Sequence, residues 1–390
     1  MKLLDYGGED MIGDLFLSLG KGIGLLFLQP FLYVYLLLIL WIGFNRVKRE
    51  RKQFSYRIFD SFEELRQSFI PGLVVGLSIS IVTILVGIAL PKSALLLLTI
   101  MMVTIGIFLP LWLLTPSFIF GSIAILMILF PSLQERLNLE WSVADGTVVF
   151  LIGSFIILAE AILLRKTKKG TTTPLILEGK RGMKVGAHLF QRAWLLPVFI
   201  LIPGDSISSM FDFWPVLSIG ASQFDLLLFP IGIGFHHVVK SALPVYKIEK
   251  IGMELTLLSI LCILLAIGGL FEPYIAVGGA LVAIIGRIFI SVRATKHEEE
   301  SGNIFMPAHD GVVILSIIPK SLAERMELTV GEKIVKVNGV FVKDEQSFYK
   351  AVEKNRALCK LEVIDVQGEI RIVQKATYTD DHHELGIILA

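Results

Sequence analysis

Long apolar runs fill this chain from residue 22 to residue 292 and then stop. A helix that crosses a bilayer needs about 20 predominantly apolar residues. Stretches 22–44, 69–90, 94–114, 147–164, 213–235, 254–271 and 273–292 read as such spans, and 117–131 and 194–204 are shorter candidates. Counting both short runs gives nine crossings. Reading either one as a re-entrant segment lowers the count and reverses the side of the N-terminus. Residues 1–21 carry Met11, Ile12, Leu15, Phe16 and Leu19 at helical spacing. They are too polar to span, so the pattern predicts an interfacial amphipathic helix. The pattern of a cleavable signal peptide is not seen.

Composition follows from this division. The chain is 54% hydrophobic and 18% charged, against about 25% charged in an average soluble domain. Those figures average two solvents, because residues 303–390 read as an ordinary soluble domain. Between the two parts lies 293–302, running from Arg293 to Gly302, charged and then flexible as a linker should be. The predicted organisation is an interfacial segment (1–21), a polytopic transmembrane domain (22–292), a linker (293–302) and a soluble domain (303–390).

The net charge of +1 excludes a global positive field of the kind that binds nucleic acid. Two cysteines, Cys262 and Cys359, exclude a disulfide framework and a cysteine-rich metal site. The near-neutral total hides a strong asymmetry. Arg46, Lys48, Arg49, Arg51, Lys52, Arg57 and Arg66 follow the first span; Arg165, Lys166, Lys168, Lys169, Lys180, Arg181, Lys184 and Arg192 form a second basic loop; Lys240, Lys247 and Lys250 a third. Loops 132–146 and 205–212 are acidic instead, with Glu135, Glu140, Asp145, Asp205 and Asp212. The positive-inside rule then places the soluble domain in the cytoplasm and, with nine spans, the N-terminus outside. The basic loops set topology, or also hold anionic lipid or an acidic partner face.

Ionisable residues within spans are candidate functional sites. Glu160 and Arg287 fall at similar depth in the inner leaflet, which predicts an intramembrane pair; the other reading is that each snorkels to the interface. Asp225 lies mid-span with Ser218, Ser222 and Gln223 between Pro215 and Pro230. That arrangement lines a polar cavity, as in a transporter, or turns one acid into the helix bundle. His236-His237 reads as a solvated span end, not as a metal site. The chain has no His-Glu-x-x-His and no Gly-x-Ser-x-Gly. It also lacks a Gly-x-x-x-x-Gly-Lys-Ser/Thr loop. No catalytic site, metal site or cofactor is predicted.

In the soluble part, Val312–Ile318 is a β-branched apolar run closed by Pro319. Ser321 and Glu324 form a capping box for a short helix ending near Leu328. Lys333–Asn338 is a strand, Asn338-Gly339 a type I′ hairpin signal, and Val340–Lys343 the return. Asp344 caps a helix running to about Asn355, with Phe348, Ala351 and Val352 on one face. Cys359–Val366 and Glu369–Val373 close the order as two strands.

This order resembles a PDZ domain in the permuted bacterial form. The resemblance rests on Gly311-Val312-Val313-Ile314, on Pro319-x-Ser321-x-Ala323, and most of all on Val330-Gly331-Glu332-Lys333-Ile334-Val335-Lys336-Val337-Asn338-Gly339. Met326-Glu327 departs from the family's small residue and Gly. The fold implied is a polytopic α-helical membrane domain followed by a small α+β PDZ domain. PDZ domains bind extended peptides by adding a strand to a sheet edge. Glu384-Leu385-Gly386-Ile387 has the hydrophobic-Gly-hydrophobic character of their carboxylate loop. The expected groove lies between Leu385, Gly386, Ile387 and Ile388 and the helix carrying Phe348, Ala351 and Val352; otherwise Leu385–Leu389 is a plain edge strand. His382-His383 beside Asp380 and Asp381 reads as a solvated loop.

Taken together, a polytopic first part, a cytoplasmic PDZ-like domain and no catalytic motif resemble the MinJ-like topological determinants of bacterial cell division. Arg46–Lys52, Cys359–Asp365 and Asp381-His382-His383-Glu384-Leu385-Gly386 carry the resemblance, which covers essentially the whole chain. It implies a non-enzymatic membrane adaptor at the septum and poles, linking a DivIVA-like scaffold to the MinD inhibitor system and taking a peptide or protein ligand. The competing readings are a PDZ-bearing transporter and a membrane-protease regulator.

Overall fold

The computed structural model describes residues 8–167, 170–178, 182–208, 223–307, 310–355, 358–376 and 385–390. The chain begins with seven helices: α1 (Gly8–Leu26), α2 (Pro30–Phe54), α3 (Glu63–Val86), α4 (Lys92–Phe108), α5 (Pro116–Leu129), the short α6 (Leu133–Leu137) and α7 (Val143–Arg165). A three-stranded antiparallel sheet follows, in the order β1 (Thr173–Glu178), β2 (Lys184–Ser208), β3 (Gln223–Val239). Two long helices come next, α8 (Pro244–Gly269) and α9 (Pro273–Glu300). Among the described residues, five helices are long and apolar enough to cross a membrane: α2, α3, α7, α8 and α9. The most enclosed is α7, with α5, α8 and α9 packed around it. One apolar core runs through these helices and into the sheet.

Two stretches expected as spans, 194–204 and 213–235, are not helical where they are described. Residues 194–204 belong to β2 and residues 223–235 to β3; residues 209–222, with Pro215, Ser218 and Ser222, lie outside the described residues. The physical reason is proline. Pro197, Pro203 and Pro230 would each remove a helical hydrogen bond and clash with the preceding turn, at about 3 kcal/mol apiece. In the hairpin Pro197 stands opposite Pro230. The Pro197 nitrogen and carbonyl face Gly76 of α3, on the side away from β3. The missing N–H therefore breaks no ladder bond.

β2 runs beside α3, a helix long and apolar enough to cross a membrane. Backbone within a bilayer must find partners inside the protein, and several outward groups of both strands do. Tyr35 of α2 donates to the Ala193 carbonyl (3.1 Å). The Phe199 N–H donates to Ser80 Oγ and its carbonyl accepts from Thr83 Oγ1, both at 2.8 Å. The Leu90 N–H donates to the Leu201 carbonyl (2.9 Å). On the β3 side, Ser18 Oγ of α1 accepts from the Leu226 N–H (2.9 Å), and the Leu114 carbonyl accepts from Gly234 (2.5 Å). Close approach needs small residues: a Cβ at Gly72 or Gly76 would fall on the carbonyl oxygen of Leu195 or Pro197.

Other expected boundaries also moved. The first span is interrupted at residues 27–29, where α1 ends and Pro30 opens α2 at a position that tolerates its missing N–H. Arg46 to Lys52, expected in a loop, are helical. The stretch 94–114 ends as α4 at Phe108, ahead of Pro110. The segment 293–302 is helical as far as Glu300, not a flexible linker. Glu298 holds that last turn in place: its carboxylate accepts from the backbone N–H groups of Lys240 and Ser241, both at 2.8 Å.

The C-terminal region is a sheet with two helices: β4 (Val312–Ile317), α10 (Leu322–Arg325), β5 (Lys333–Val337), β6 (Val340–Phe341), α11 (Glu345–Glu353), β7 (Leu358–Ile364), β8 (Ile370–Ala376) and β9 (Ile387–Leu389). The strand order is β8-β7-β5-β4-β9, with β6 on β5. Asn338 and Gly339 both have positive φ (50° and 80°), as a type I′ turn requires. Asp344 Oδ1 accepts from the Ser347 N–H (2.7 Å) and starts α11. Ser321 caps α10, but Glu324 reaches the Lys320 N–H (2.6 Å) and not that of Ser321, and α10 is a single turn. A core of its own fills the space between α10, α11 and the sheet.

Candidate functional site

β9 closes the strand order, so it presents an outer edge among the described residues. Its alternation decides what faces that edge. The Gly386 carbonyl accepts from Ile318 (2.8 Å) and the Ala390 N–H donates to Val313 (3.0 Å), so these residues turn their main chain inward to β4. In an antiparallel pair the alternate residues turn outward. Ile387 and Leu389 therefore carry the N–H and C=O groups of the free edge. The Leu385 carbonyl is taken by the Ala323 N–H (3.0 Å). Gly386 has φ +78° and a Cβ there would strike Ser321, so the turn into β9 admits only glycine.

The side chains follow the same alternation. Leu385 and Ile387 are buried in the core that holds Phe348 and Ala351 of α11, and Val352 packs against it half-buried. Ile388 differs from the expectation that it lines the groove. It points to the opposite face, into a cluster with Ile58, Phe305, Val313 and Leu315. One-residue alternation along a strand makes this unavoidable once Ile387 faces the core. His382, His383 and Glu384 lie outside the described residues.

The Ile388 face docks the sheet onto the first part of the chain. Ile58, Tyr56 and Phe59 come from the α2–α3 connection. The Phe305 ring lies 4.9 Å from that of His188 on β2, and His188 Nδ1 is 2.9 Å from Thr172 Oγ1. Burial pushes the His188 imidazole down to about 4.

Within the helices, Arg287 Nη2 of α9 donates to Glu160 Oε1 of α7 at 2.8 Å. Glu160 is fully buried and Arg287 nearly so, with its guanidinium over the Phe235 ring (5.5 Å) and its Nη1 on Ser291 Oγ (3.1 Å). Glu160 Oε2 and Arg287 Nε have no hydrogen-bond partner among the described residues. Asp225 stands on β3 opposite Ile202, in a strand and not in a broken helix. His236 and His237 lie two residues before the end of the same strand; His237 is buried and His236 exposed.

A second buried ionic cluster was not anticipated from the sequence. Arg46 Nη1 meets Glu50 Oε1 (2.9 Å) and its Nη2 meets Glu64 Oε2 (3.0 Å). Glu50 Oε2 accepts from the Ile58 N–H (2.8 Å). Arg192 of β2 joins through Glu64 Oε1 (4.0 Å) and also donates to Gln67 Oε1 and the Thr171 carbonyl. The Arg46–Glu50 spacing of four residues was a legible signal. Glu64 and Arg192 come from distant segments, and no local pattern joins them. No group of three or more His, Cys, Asp or Glu suited to a metal ion occurs among the described residues.

No family model and no solved structure matches the chain. It is 32% identical over 380 residues to the cell division topological determinant MinJ of Bacillus subtilis (strain 168), covering 95% of each chain. It is 24% identical over 373 residues to the "probable cell division topological determinant MinJ" of Lacticaseibacillus paracasei, covering 90% of this chain and 93% of the other. A relative of the same description in Lacticaseibacillus casei (strain BD-II) matches equally.

Proposed function

The chain belongs to the MinJ family of cell division topological determinants, and on that premise we propose that it is a non-enzymatic membrane adaptor in division-site selection. The membrane helices anchor it. Cytoplasmic surfaces, the C-terminal sheet among them, join a DivIVA-like scaffold at poles and septum to a MinD-like inhibitor. The C-terminal sheet is read as a permuted PDZ domain whose last strand supplies the peptide edge.

The observation that supports this reading is the outer edge of β9. Ile387 and Leu389 offer main-chain groups for an added strand; Phe348 and Ala351 of α11 are buried in the core beneath β9, and Val352 is the half-buried one of the three. Such an edge gives affinity through the backbone and specificity through alternate side chains. Neither needs a reactive group, which suits an adaptor.

A fluorescent fusion of the full chain tests the function. It should concentrate at septa and poles, and removal of residues 303–390 should release a MinD-like partner from those sites. Uniform membrane fluorescence of the intact protein would sink the proposal. So would unchanged partner recruitment after the deletion.

A further inference from the structure

The C-terminal sheet has a second free edge. β8 closes the strand order opposite β9 and pairs with β7 in an unbroken register of seven residues. The Asp365 N–H donates to the Glu369 carbonyl (3.0 Å), so Glu369 turns its main chain inward. By the alternation of an antiparallel pair, Arg371, Val373 and Lys375 do the same, and Ile370, Ile372 and Gln374 turn theirs outward. No strand among the described residues takes up these outward groups. Ile370 and Ile372 are also 72% and 60% exposed, so the first part of the chain does not cover β8. Natural edges deter stray pairing with inward-pointing charges, and β8 has two, Arg371 and Lys375. Glu332 neutralises Arg371 within the sheet (2.7 Å). Lys375 donates to the Arg325 carbonyl and enters no ion pair among the described residues; nor does Glu369, and both are exposed.

We propose that β8 pairs antiparallel with the β8 of a second copy of this chain, about a two-fold axis at Ile372. Three observations converge. The first is charge. This centre sets Glu369 of each copy opposite Lys375 of the other, and Arg371 opposite Val373. Centring on Arg371 or on Val373 would instead set Arg371 against itself or against Lys375. The second is hydrogen bonding. Ile372 meets Ile372 and Ile370 meets Gln374, all of them residues with outward main-chain groups, so the ladder closes without a gap. The third is the fold. Opposite residues share a face, which puts Ile370 on the face of Ile364, Lys333 and Val313. Val313 of that face docks on Ile58 and Phe305. A two-fold axis normal to the sheet turns this face to the same side in both copies, so both sets of membrane helices can enter one bilayer. The contact is isologous and closes as a dimer. It leaves both β9 edges free and does not depend on their use.

The test uses the full chain in phosphatidylcholine vesicles under mild oxidation. The native chain is the blank, because Cys262 and Cys359 are buried. Ile372→Cys should give a disulfide-linked dimer, since residues on the axis have Cα atoms about 5.5 Å apart, within disulfide reach. Ile370→Cys, opposite Gln374, should not. On the Ile372→Cys background, Glu369→Lys or Lys375→Glu alone should raise the protein density needed for half-linking about tenfold, as two attractive cross-strand pairs become repulsive. The two changes together should restore it. Within one copy these positions lie about 20 Å apart along the strand, so the rescue must come from the second copy. Absence of a linked dimer at every density would overturn the proposal. Equal linking through Ile370→Cys and Ile372→Cys would do so too. Indifference to the single charge changes, or no recovery in the double variant, would also overturn it.

Discussion

At the scale of single residues, the Glu160–Arg287 pair shows what burial does to charge. Removing one partner leaves the other ionised in an apolar interior, which costs about 3–5 kcal/mol in buried pairs. Removing both replaces two desolvated charges by neutral amides. Glu160→Gln and Arg287→Gln should each destabilise strongly, and the double variant should be more stable than their sum predicts. A double-mutant cycle on the detergent-solubilised chain reads this directly; strict additivity would mean that the two charges do not interact. Two features of the pair were legible beforehand, namely an acid and a base within apolar runs at similar depth. Its orphan atoms, Glu160 Oε2 and Arg287 Nε, were not, because they depend on side chains from three elements.

Asp344 makes a second prediction at this scale. Its carboxylate accepts from the Ser347 N–H, and this contact with Ser347 holds it below the ordinary carboxylate range. A depressed acid contributes stability that is complete above its unfolded value and is lost as pH falls through its folded value. Amide-exchange protection in α11 should therefore weaken on acidification below the usual carboxylate range. Asp344→Asn, which still caps but does not titrate there, should flatten that dependence. An unchanged pH response in this variant would show that the cap does not govern it.

Elements were legible where one physical rule acted alone. Uninterrupted apolar runs became α7, α8 and α9, and the Asn338-Gly339 and Asp344 signals became the turn and cap they encode. Length and hydropathy failed at 194–204 and 213–235, because they register apolar content and not backbone shape. The prolines held the missing information. So did Gly72, Gly76, Ser80 and Thr83, spaced along one face of α3. Such a small-residue face commonly receives another helix; here it receives the edge of β2. That assigns Ser80 and Thr83 a specific duty, the satisfaction of Phe199. Joint Ser80→Ala and Thr83→Val substitution leaves a buried N–H and carbonyl unpaired, at about 1–3 kcal/mol each. Gly76→Leu should be worse, since no rotamer avoids the Pro197 carbonyl. Thermal unfolding of the purified chain ranks the two; a neutral Gly76→Leu would contradict the close packing of α3 on β2.

At the scale of the whole molecule, the hairpin returns the chain to the side it left, as two helices would. Replacing two expected helical spans by this hairpin leaves the parity of crossings in the lysine and arginine argument unchanged. What a sequence reading could not supply is the coupling of the C-terminal sheet to the membrane helices. A flexible linker is expected at 293–302, and α9 instead continues as helix to Glu300. Ile388 is expected in the groove, and it instead packs on Ile58 and Phe305. Contacts between segments more than a hundred residues apart leave no local pattern to read.

This coupling carries a pH prediction through His188. Undocked, the imidazole titrates near its ordinary 6.5; docked beneath Phe305 and Leu315, burial holds it near 4. The undocked state thus takes up a proton between those values while the docked state does not. Docking is fully stable above about 6.5 and weakens as pH falls toward 4. Exchange protection of the Val313, Leu315 and Ile388 amides should drop between pH 7 and pH 5, ahead of any loss in α7. His188→Phe, which keeps an aromatic ring against Phe305 and removes the titration, should hold protection constant over that range. If the variant lost protection in step with the native chain, the docked imidazole would not be the group that senses acid. If it held, a single buried histidine would link acidity to how firmly the edge strand β9 is held against the long apolar helices.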